Sequence, residues 1–378
     1  MKAEVKDVYD FDWSNACDEG KESFINLLLP LLDSGQEIDL YNWLKEHRLL
    51  LRSGKCPSKF CGADMIWSKA RVRDKYNWKC SMKGCAGRLP IRHSSFFSNI
   101  HCEMRKALET ILGWCERQSV EECASRLDLC PRVVTRIYKQ CIDVAAENIA
   151  AHQEEWALGG IGGVVLVDVF PSVYMSPNYL AKQSPNEARP KRILCIADLK
   201  CLPPRVWMTL LDDKFEDLKK VKEECEEQLS EPPVKKKRIS WKGGGDREEK
   251  GVGAVLAHLA QIVLPGTKVV GTSRWVPQQP LQRLTGLCGV SVESLVALDQ
   301  PDTKCMLNNL RGIWRTTSEI CEEAQTLPRR DARQYMLEYM WRQINGSSSS
   351  AALENILGHI ASHYSDAKAA VKVETIDL

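Results

Sequence analysis

Four cysteines near the N-terminus constrain the fold of this chain more than any other feature. Cys56 and Cys61 form one C-x4-C pair, Cys80 and Cys85 form a second, and 18 residues separate the two pairs. Two short knuckles joined by a β-hairpin can supply the four soft ligands that a tetrahedral Zn²⁺ site requires. A module of this size has too little apolar core to fold without its metal. The spacing therefore predicts a zinc ribbon over residues 51–100; the alternative is four buried thiols in a small β-unit.

The cysteine content also bears on the compartment in which the protein works. The chain has 16 cysteines in 378 residues and no apolar run of the length that a membrane span needs. Its acidic N-terminal stretch has no apolar segment typical of a secretory signal, so we expect none. The cysteines are then expected in a reducing compartment, some as metal ligands and most as buried thiols. The expected class is a soluble globular protein with two or three domains and no membrane partner.

Positive charge is concentrated around the predicted ribbon. The formal net charge is only +2, yet residues 51–106 contain 13 Lys and Arg against three Asp and Glu. A local field of this sign favours phosphate-rich partners. The stretch RLPIRHSSFF that follows the last ribbon cysteine combines basic and aromatic residues, and we expect Arg88 and Arg92 to contact a nucleic-acid backbone. The alternative is a solvated loop.

Residues 101–150 have the pattern of a helix, a tight turn and another helix. Ser119 and Glu122 form a capping box, and Pro131 stands where the first turn of the last helix is expected. This pattern predicts a helix-turn-helix, although short helix pairs without DNA contacts are also common. Its second helix presents four candidate DNA-contacting residues: Arg132, Thr135, Arg136 and Lys139.

The second half of the chain reads as an α/β core over residues 159–345. The sequence GGIGGVVLVD predicts a short buried strand that ends at Asp168. An aspartate held at such a place suits a metal ion; the alternative is an ordinary core strand whose aspartate caps the next turn. Further strands are expected at 193–198, 205–211 and 268–271. The other expected divisions are a helical lead-in at 1–50, a flexible insertion at 213–250 and a C-terminal helix and tail at 346–378.

The expected insertion carries a run of four basic residues after two prolines. The run predicts a nuclear import signal, and with it a nuclear location and an import receptor as a partner. The alternative is a solvated disordered basic tract. The four residues are Lys235, Lys236, Lys237 and Arg238.

Five sequence motifs occur in an order that resembles a known family. The motifs are KCSMKGCAGRLPIRHSSFF, VVLVD, LPGTKVVGTSRW, NNLRGIWR and YMLEYMWR. Their order is similar to that of the Merlin-type DNA transposases, whose bacterial relatives are insertion-sequence transposases with an ISXO-like catalytic domain. The resemblance covers roughly residues 20–345. It implies an α+β multidomain protein in which a zinc ribbon and a helix-turn-helix precede a ribonuclease-H-like α/β core.

The resemblance also implies where a catalytic site would lie. Members of the family use three acidic residues to hold two divalent ions that drive attack on DNA phosphodiesters. Asp168 matches the first position, but the residue after it, commonly a second acid, is Val169. The second catalytic position, aligned on Trp275, is Ser273, and the third, in an Asn-x-x-acid-x-x-Trp run, is Arg311. Since one carboxylate cannot hold a pair of divalent cations, we expect these three positions to be vestigial.

These observations predict a transposase-derived nuclear protein that binds DNA without transferring strands. It would act as a chromatin or transcription-associated factor, with structural Zn²⁺ as its cofactor and the degenerate core as a scaffold for a homodimer or for chromatin proteins. Two alternatives stay open at this stage. One is a protein-interaction adaptor that makes no DNA contact, because zinc ribbons bind proteins as well. The other is a still-active metal-dependent recombinase with a rearranged acidic site.

Overall fold

The computed structural model describes the chain from residue 24 to residue 364 with several gaps. The described residues are 24–33, 36–172, 174–176, 178–179, 190–200, 204–211, 246–275, 287–291 and 303–364. The chain divides into two compact units, one formed by Met1–Asn148 with Trp341–Leu378 and the other by Ile149–Met340. The C-terminal residues therefore belong with the N-terminal ones. The expected import signal at residues 235–238 lies outside the described residues.

The described elements form successive groups of helices and strands. The helices are α1 (Phe24–Asp33), α2 (Glu37–Glu46), α3 (Met104–Cys115), α4 (Val120–Leu127), α5 (Pro131–Ala151), α6 (Asp246–Ile262), α7 (Thr303–Thr326), α8 (Arg329–Asn345) and α9 (Ser349–His363). The strands are β1 (Met65–Lys69), β2 (Tyr76–Cys80), β3 (Arg88–Pro90), β4 (Leu158–Gly159), β5 (Val164–Phe170), β6 (Ile193–Asp198), β7 (Arg205–Leu210), β8 (Val263–Leu264), β9 (Lys268–Gly271) and β10 (Cys288–Ser291). No described helix has both the length and the apolar composition that a membrane crossing needs.

The first unit contains a small antiparallel sheet with the strand order β1-β2-β3. Trp67 of β1 lies directly opposite Trp78 of β2, and their rings meet edge to face with centroids 5.7 Å apart. Tyr41 of α2 packs edge-on against both Trp67 and Tyr76, at 6.4 Å and 6.0 Å between ring centroids. Aromatic packing of this kind covers one face of the sheet, so α2 supplies part of the core that the small sheet lacks.

Helices complete the first unit. Helix α9 packs against α1 and α3. The chain that leads into α9 is anchored on α3, because the buried Arg342 guanidinium lies 4.2 Å from the Trp114 ring and donates a 2.8 Å hydrogen bond to the Trp114 carbonyl. The Trp341 ring lies 5.4 Å from that of Trp114. A cation over an indole with a carbonyl acceptor is a favourable buried arrangement.

The second unit is built on a five-stranded sheet with the order β10-β9-β5-β6-β7. Strands β10, β9 and β5 run parallel to one another, whereas β5, β6 and β7 form antiparallel pairs. Strand β5 lies in the middle, and all of its residues except the first are buried. A central strand covered on both faces favours the continuous apolar run that this segment has.

The two faces of β5 carry different residues. Val165, Val167 and Val169 join a cluster with apolar residues of α6. Because side chains alternate along a strand, Asp168 points to the opposite face. On that face Cys195, the cross-strand neighbour of Asp168, lies 3.7 Å from Cys321 of α7 through their sulfurs. Asp168 is therefore buried on the face of the sheet against which α7 packs.

Most of the expected strands are confirmed. Strands β6, β7 and β9 coincide with the predicted segments to within one residue. The prediction that the first strand of the core ends at Asp168 is wrong, because β5 continues through two more buried residues to Phe170. Both of those residues pair with β6, so the sheet ladder extends past the carboxylate.

Candidate metal centre and nucleic-acid interface

The structure brings the four predicted cysteine ligands together. Their sulfur atoms all lie within 4.8 Å of one another. Cys56 Sγ is 3.5 Å from Cys85 Sγ, and Cys61 Sγ is 3.6 Å from Cys80 Sγ, so the closest pairs link the two knuckles. Cys80 ends β2, and Cys56 donates its N–H to the Ala63 carbonyl at 2.9 Å, which closes the first knuckle.

The spacing of the sulfurs fits a tetrahedral metal ion. A Zn–S distance of about 2.3 Å places the sulfurs of a tetrahedral site about 3.8 Å apart. Gly87 makes this packing possible, since a Cβ on that residue would lie 2.4 Å from Cys56 Sγ and 3.4 Å from Cys85 Sγ. The four cysteines are therefore a site that could bind a metal ion. The spacing of the cysteines had predicted the ligands but gave no warning that Gly87 is also needed.

Backbone N–H groups point at two of the sulfurs. Met82 N lies 3.4 Å from Cys80 Sγ, and Gly87 N lies 3.5 Å from Cys85 Sγ. The Gly87 N–H, helped by Ser58 and Cys56, lowers the pKa of Cys85 to about 6. Hydrogen bonds to a sulfur stabilise its charged form, which is the form that binds a metal. The Met82 N–H acts in the same direction on Cys80, but burial and the neighbouring thiols outweigh it and raise the pKa of Cys80 to about 12.

Arg92 is buried rather than available to DNA. Its guanidinium donates two hydrogen bonds to the Asp74 carboxylate, one of them 2.8 Å long from Nε. It also donates to the carbonyls of Ile100 at 2.8 Å and Cys102 at 2.9 Å, and only 5% of the residue is exposed. A guanidinium with every edge occupied inside the protein cannot contact a phosphate. The prediction that Arg92 contacts DNA is therefore wrong, and the role of this residue is structural.

The aromatic residues after Arg92 are buried as well. Phe96 and Phe97 are both fully buried, with ring centroids 5.3 Å apart. The Ser95 and Ser98 hydroxyls accept or donate hydrogen bonds within the same turn. The stretch that the sequence suggested as a basic and aromatic contact surface is thus an internal anchor for the ribbon. Arg88, in contrast, is exposed on β3.

A set of exposed cations covers the outside of the ribbon. Lys79 on β2 stands between Ile66 of β1 and Arg88 of β3 in the sheet register, so these three side chains share the face away from Trp67 and Trp78. Lys55 and Lys75 form ion pairs with Asp64 and Glu37, each 2.7 Å long. The ribbon's exposed cations besides these two are Arg52, Lys59, Lys69, Arg71, Arg73, Lys79, Lys83 and Arg88.

The predicted helix pair is present after the ribbon. Ser119 Oγ accepts the Glu122 N–H at 3.2 Å, and the Glu122 carboxylate accepts the Ser119 N–H at 2.9 Å, which is the expected capping box. Asp128 adopts a left-handed conformation and ends α4, and α5 begins at Pro131. Cys123, Ala124, Leu127 and Val134 form a small core that joins the two helices.

The four candidate residues of α5 share one exposed face of the helix. Their spacing of three and four residues places them side by side, and each is exposed. Two of them also donate hydrogen bonds to backbone carbonyls. The Thr135 hydroxyl donates to the Pro131 carbonyl at 2.9 Å, and Arg136 donates to the Asn99 carbonyl at 3.0 Å. Arg132 and Lys139 complete this surface.

Asp168 holds a turn of its own chain. Its Oδ1 accepts the Val169 N–H at 2.8 Å, and its Oδ2 accepts the Ser172 hydroxyl. Ser172 Oγ in turn accepts the Met175 N–H at 3.0 Å. Only 2% of Asp168 is exposed. These contacts match the alternative that the sequence left open, in which the aspartate caps the turn that follows its strand.

A small cavity adjoins Asp168 and is lined by residues next to the other two places where the resemblance expects acids. Its lining residues are Leu166, Val167, Asp168, Tyr174, Val270, Gly271, Thr272, Leu310 and Trp314. Asp168 is the single carboxylate in that lining. Ser273 and Arg311 are neighbours of lining residues in the sequence, but both are exposed and neither lines the cavity. Strand β5, the residues that follow β9 and helix α7 thus meet at this cavity, but their lining side chains form no acidic cluster.

Comparison of the chain with protein-family models, with characterised proteins and with solved structures gave no match in any of the three. The resemblance to Merlin-type transposases therefore rests on the five sequence motifs alone.

Proposed function

We propose that this protein is a nuclear DNA-binding protein derived from a Merlin-type transposase, and that it does not transfer DNA strands. The observation that carries the proposal is the set of exposed cations on the ribbon, next to four cysteines able to hold Zn²⁺. Bound zinc would fix the two knuckles and so position those cations; its role is structural. Each Lys or Arg that neutralises a phosphate releases counterions, so affinity should fall steeply with salt.

The helix pair α4–α5 is proposed as a second DNA contact of the helix-turn-helix type. A short turn, a capped first helix and an exposed polar face on the second helix support this reading. Arg132 and Lys139 at the ends of that face suit phosphate or base-edge contacts, with Thr135 and Arg136 between them. Any sequence preference would then come from α5, and most of the affinity from the ribbon.

The second unit is proposed as a degenerate ribonuclease-H-like core. Strands β5, β6 and β7 form an antiparallel set, and the parallel strands β9 and β10 lie beyond β5, which is the central strand. This strand order supports the assignment. The convergence of β5, the end of β9 and the first half of α7 at one cavity supports the alignment of Asp168, Ser273 and Arg311. A buried carboxylate with a serine and an arginine in the other two places is a poor site for two divalent cations. The core would serve as a scaffold, for a homodimer or for chromatin proteins.

A titration of the full chain against a labelled DNA duplex tests the proposal. At about 50 and about 200 mM salt we expect the affinity to differ by orders of magnitude. The variant Lys79→Ala/Arg88→Ala should reduce both the affinity and the dependence on salt. The matched control Arg330→Ala/Arg333→Ala removes the same charge from exposed positions of α8 in the second unit and should change neither. Equal effects of the two double variants would contradict a contact through the ribbon.

A second candidate function is a protein-interaction adaptor. The observation that favours it is apolar exposure on the ribbon, at Phe60, Ile66 and Met82. Exposed apolar side chains of this kind often mark protein contacts. The same titration separates the two functions, because an adaptor would give no salt-dependent binding to DNA.

A further inference from the structure

The two knuckles of the ribbon share their cysteine spacing and one lysine, and they differ at the residue before the second cysteine. In CPSKFC and CSMKGC the third residue after the first cysteine is a lysine, Lys59 or Lys83. The residue before the second cysteine is Phe60 in one knuckle and Gly84 in the other. Both have positive φ angles, +67° and +86°. The same backbone conformation is thus occupied once by the residue that favours it and once by a large aromatic.

The fold gives no reason for the aromatic residue. Positive φ is unfavourable for a residue with a Cβ and costs glycine nothing, so the second knuckle has the better residue for this backbone. Phe60 gains nothing from packing, since its side chain is fully exposed at a relative accessibility of 106%. A strained, exposed aromatic at a defined place is typical of a binding residue rather than a structural one.

The surroundings of Phe60 are apolar and positively charged. Lys59 precedes it and is exposed; in the other knuckle Met82, 57% exposed, stands beside the exposed Lys83. Neither knuckle contains a carboxylate between its cysteines. The nearby Asp64 is paired with Lys55 at 2.7 Å. Because both knuckles close on the same four sulfurs, their tips lie at the same end of the ribbon. This combination complements a polyanion that carries flat apolar groups.

We propose that Phe60 stacks on an unpaired base of a nucleic acid while Lys59 and Lys83 contact the flanking phosphates. The inference rests on the proposed function and deepens it by naming the ligand as a nucleic acid with a single-stranded stretch. Stacking on an aromatic side chain tolerates any base, because every base has a flat π face. The ribbon would then recognise opened or single-stranded nucleic acid, with the remaining cations binding the backbone beside it.

The test measures binding of the full chain, loaded with zinc, to a single-stranded DNA oligomer, to the RNA of the same sequence and to the DNA duplex. Phe60→Gly should weaken single-strand binding by about 5- to 100-fold and change duplex binding by less than about twofold. Phe60→Tyr should restore single-strand binding, whereas Phe60→Leu, which keeps apolar area without an aromatic face, should not. The DNA and RNA arms show which single strand is preferred.

Folding is controlled within the same series. Phe60→Gly introduces the residue that Gly84 already provides, so the melting temperature of the zinc-loaded protein should stay the same or rise. Three results would overturn the inference: unchanged single-strand affinity in Phe60→Gly, wild-type single-strand affinity in Phe60→Leu, or equal weakening of duplex and single-strand binding in Phe60→Gly. The first of these results would assign the exposed ring to a protein partner. If the wild-type chain binds no nucleic acid at all, the proposed function fails with it. Salt-sensitive duplex binding that survives while Phe60→Gly has no effect removes only the inference.

Discussion

The ribbon of the first unit and the Asp168 cavity of the second unit are the two places where the sequence raised the question of metal ligands, and they have opposite designs. In the ribbon, four sulfurs converge within 4.8 Å, and backbone N–H groups point at two of them. At the cavity, one buried carboxylate accepts hydrogen bonds from Val169 and Ser172 through both of its oxygens. A metal site needs several ligands aimed at one point; a single well-held ligand serves the local chain instead.

The largest expected effect comes from removing the metal ligands. Cys80→Ala should abolish tight zinc binding and unfold the ribbon, because a structural zinc supplies about 10–16 kcal/mol of apparent binding energy in small modules. Metal analysis and the emission of Trp67 and Trp78 during thermal unfolding measure both changes. The exposed Cys130 in the turn between α4 and α5 provides the control, since Cys130→Ala should bind zinc and melt as the wild type does. A Cys80→Ala protein that keeps one zinc and its ribbon transition would contradict the site.

The next largest effect is expected at Arg92, which joins the ribbon to the chain that follows. Arg92→Ala leaves the largely buried Asp74 carboxylate without its partner and should lower the free energy of unfolding of the first unit by about 3 kcal/mol. Arg88→Ala, at an exposed position four residues earlier, should change it by no more than about 0.5 kcal/mol. Denaturant unfolding measures both. Similar small losses in the two variants would mean that Arg92 is not buried as described.

A smaller effect is expected at Asp168. Asp168→Ala removes the acceptor for Val169 and Ser172 and should cost about 1–3 kcal/mol, measured by denaturant unfolding of the full chain. Mg²⁺ should not change the stability of the wild type, and the wild type should not nick DNA in its presence. Nicking that depends on Mg²⁺ and disappears in Asp168→Ala would reverse the comparison and favour the active recombinase.

The smallest effect is expected at the cap of α4, which needs neither a metal nor a buried pair. The backbone N–H of Ser119, followed in size of effect by its side chain, hydrogen-bonds to the Glu122 carboxylate and lowers the pKa of Glu122. A lowered folded-state pKa stabilises the fold above the unfolded pKa, and that stabilisation is lost as the pH falls through the folded-state value. Glu122→Gln should therefore be less stable than the wild type at neutral pH, and the difference should vanish in acid. A difference that does not depend on pH would contradict the cap.

The sequence was informative where chemistry acts between near neighbours. The cysteine spacing predicted the cluster of four sulfurs, because each knuckle closes within a few residues of its own cysteines. Ser119, Glu122 and Pro131 likewise predicted the boundaries of α4 and α5, since capping acts within one helical turn. The apolar runs predicted β6, β7 and β9, because a buried strand requires apolar residues along its own length.

The sequence was misleading where a side chain depends on distant partners. In the sequence Arg92 resembles its exposed neighbour Arg88. Its guanidinium is nevertheless held inside the protein by hydrogen bonds to Asp74, 18 residues earlier, and to the carbonyls of Ile100 and Cys102. The fully exposed Phe60 looks like an ordinary apolar residue. A comparison of the two knuckles could have singled it out, because Gly84 marks the same position as one that requires positive φ.

The most direct test of the central claim, that a metal-held ribbon binds DNA, is a single chelation and rescue experiment on the full chain. Duplex affinity is measured at low salt for the protein as purified, after removal of its metal with a chelator under reducing conditions, and after addition of Zn²⁺. The account predicts that binding is lost with the metal and restored by zinc to the original affinity and salt dependence. Equal affinity in all three states would contradict it.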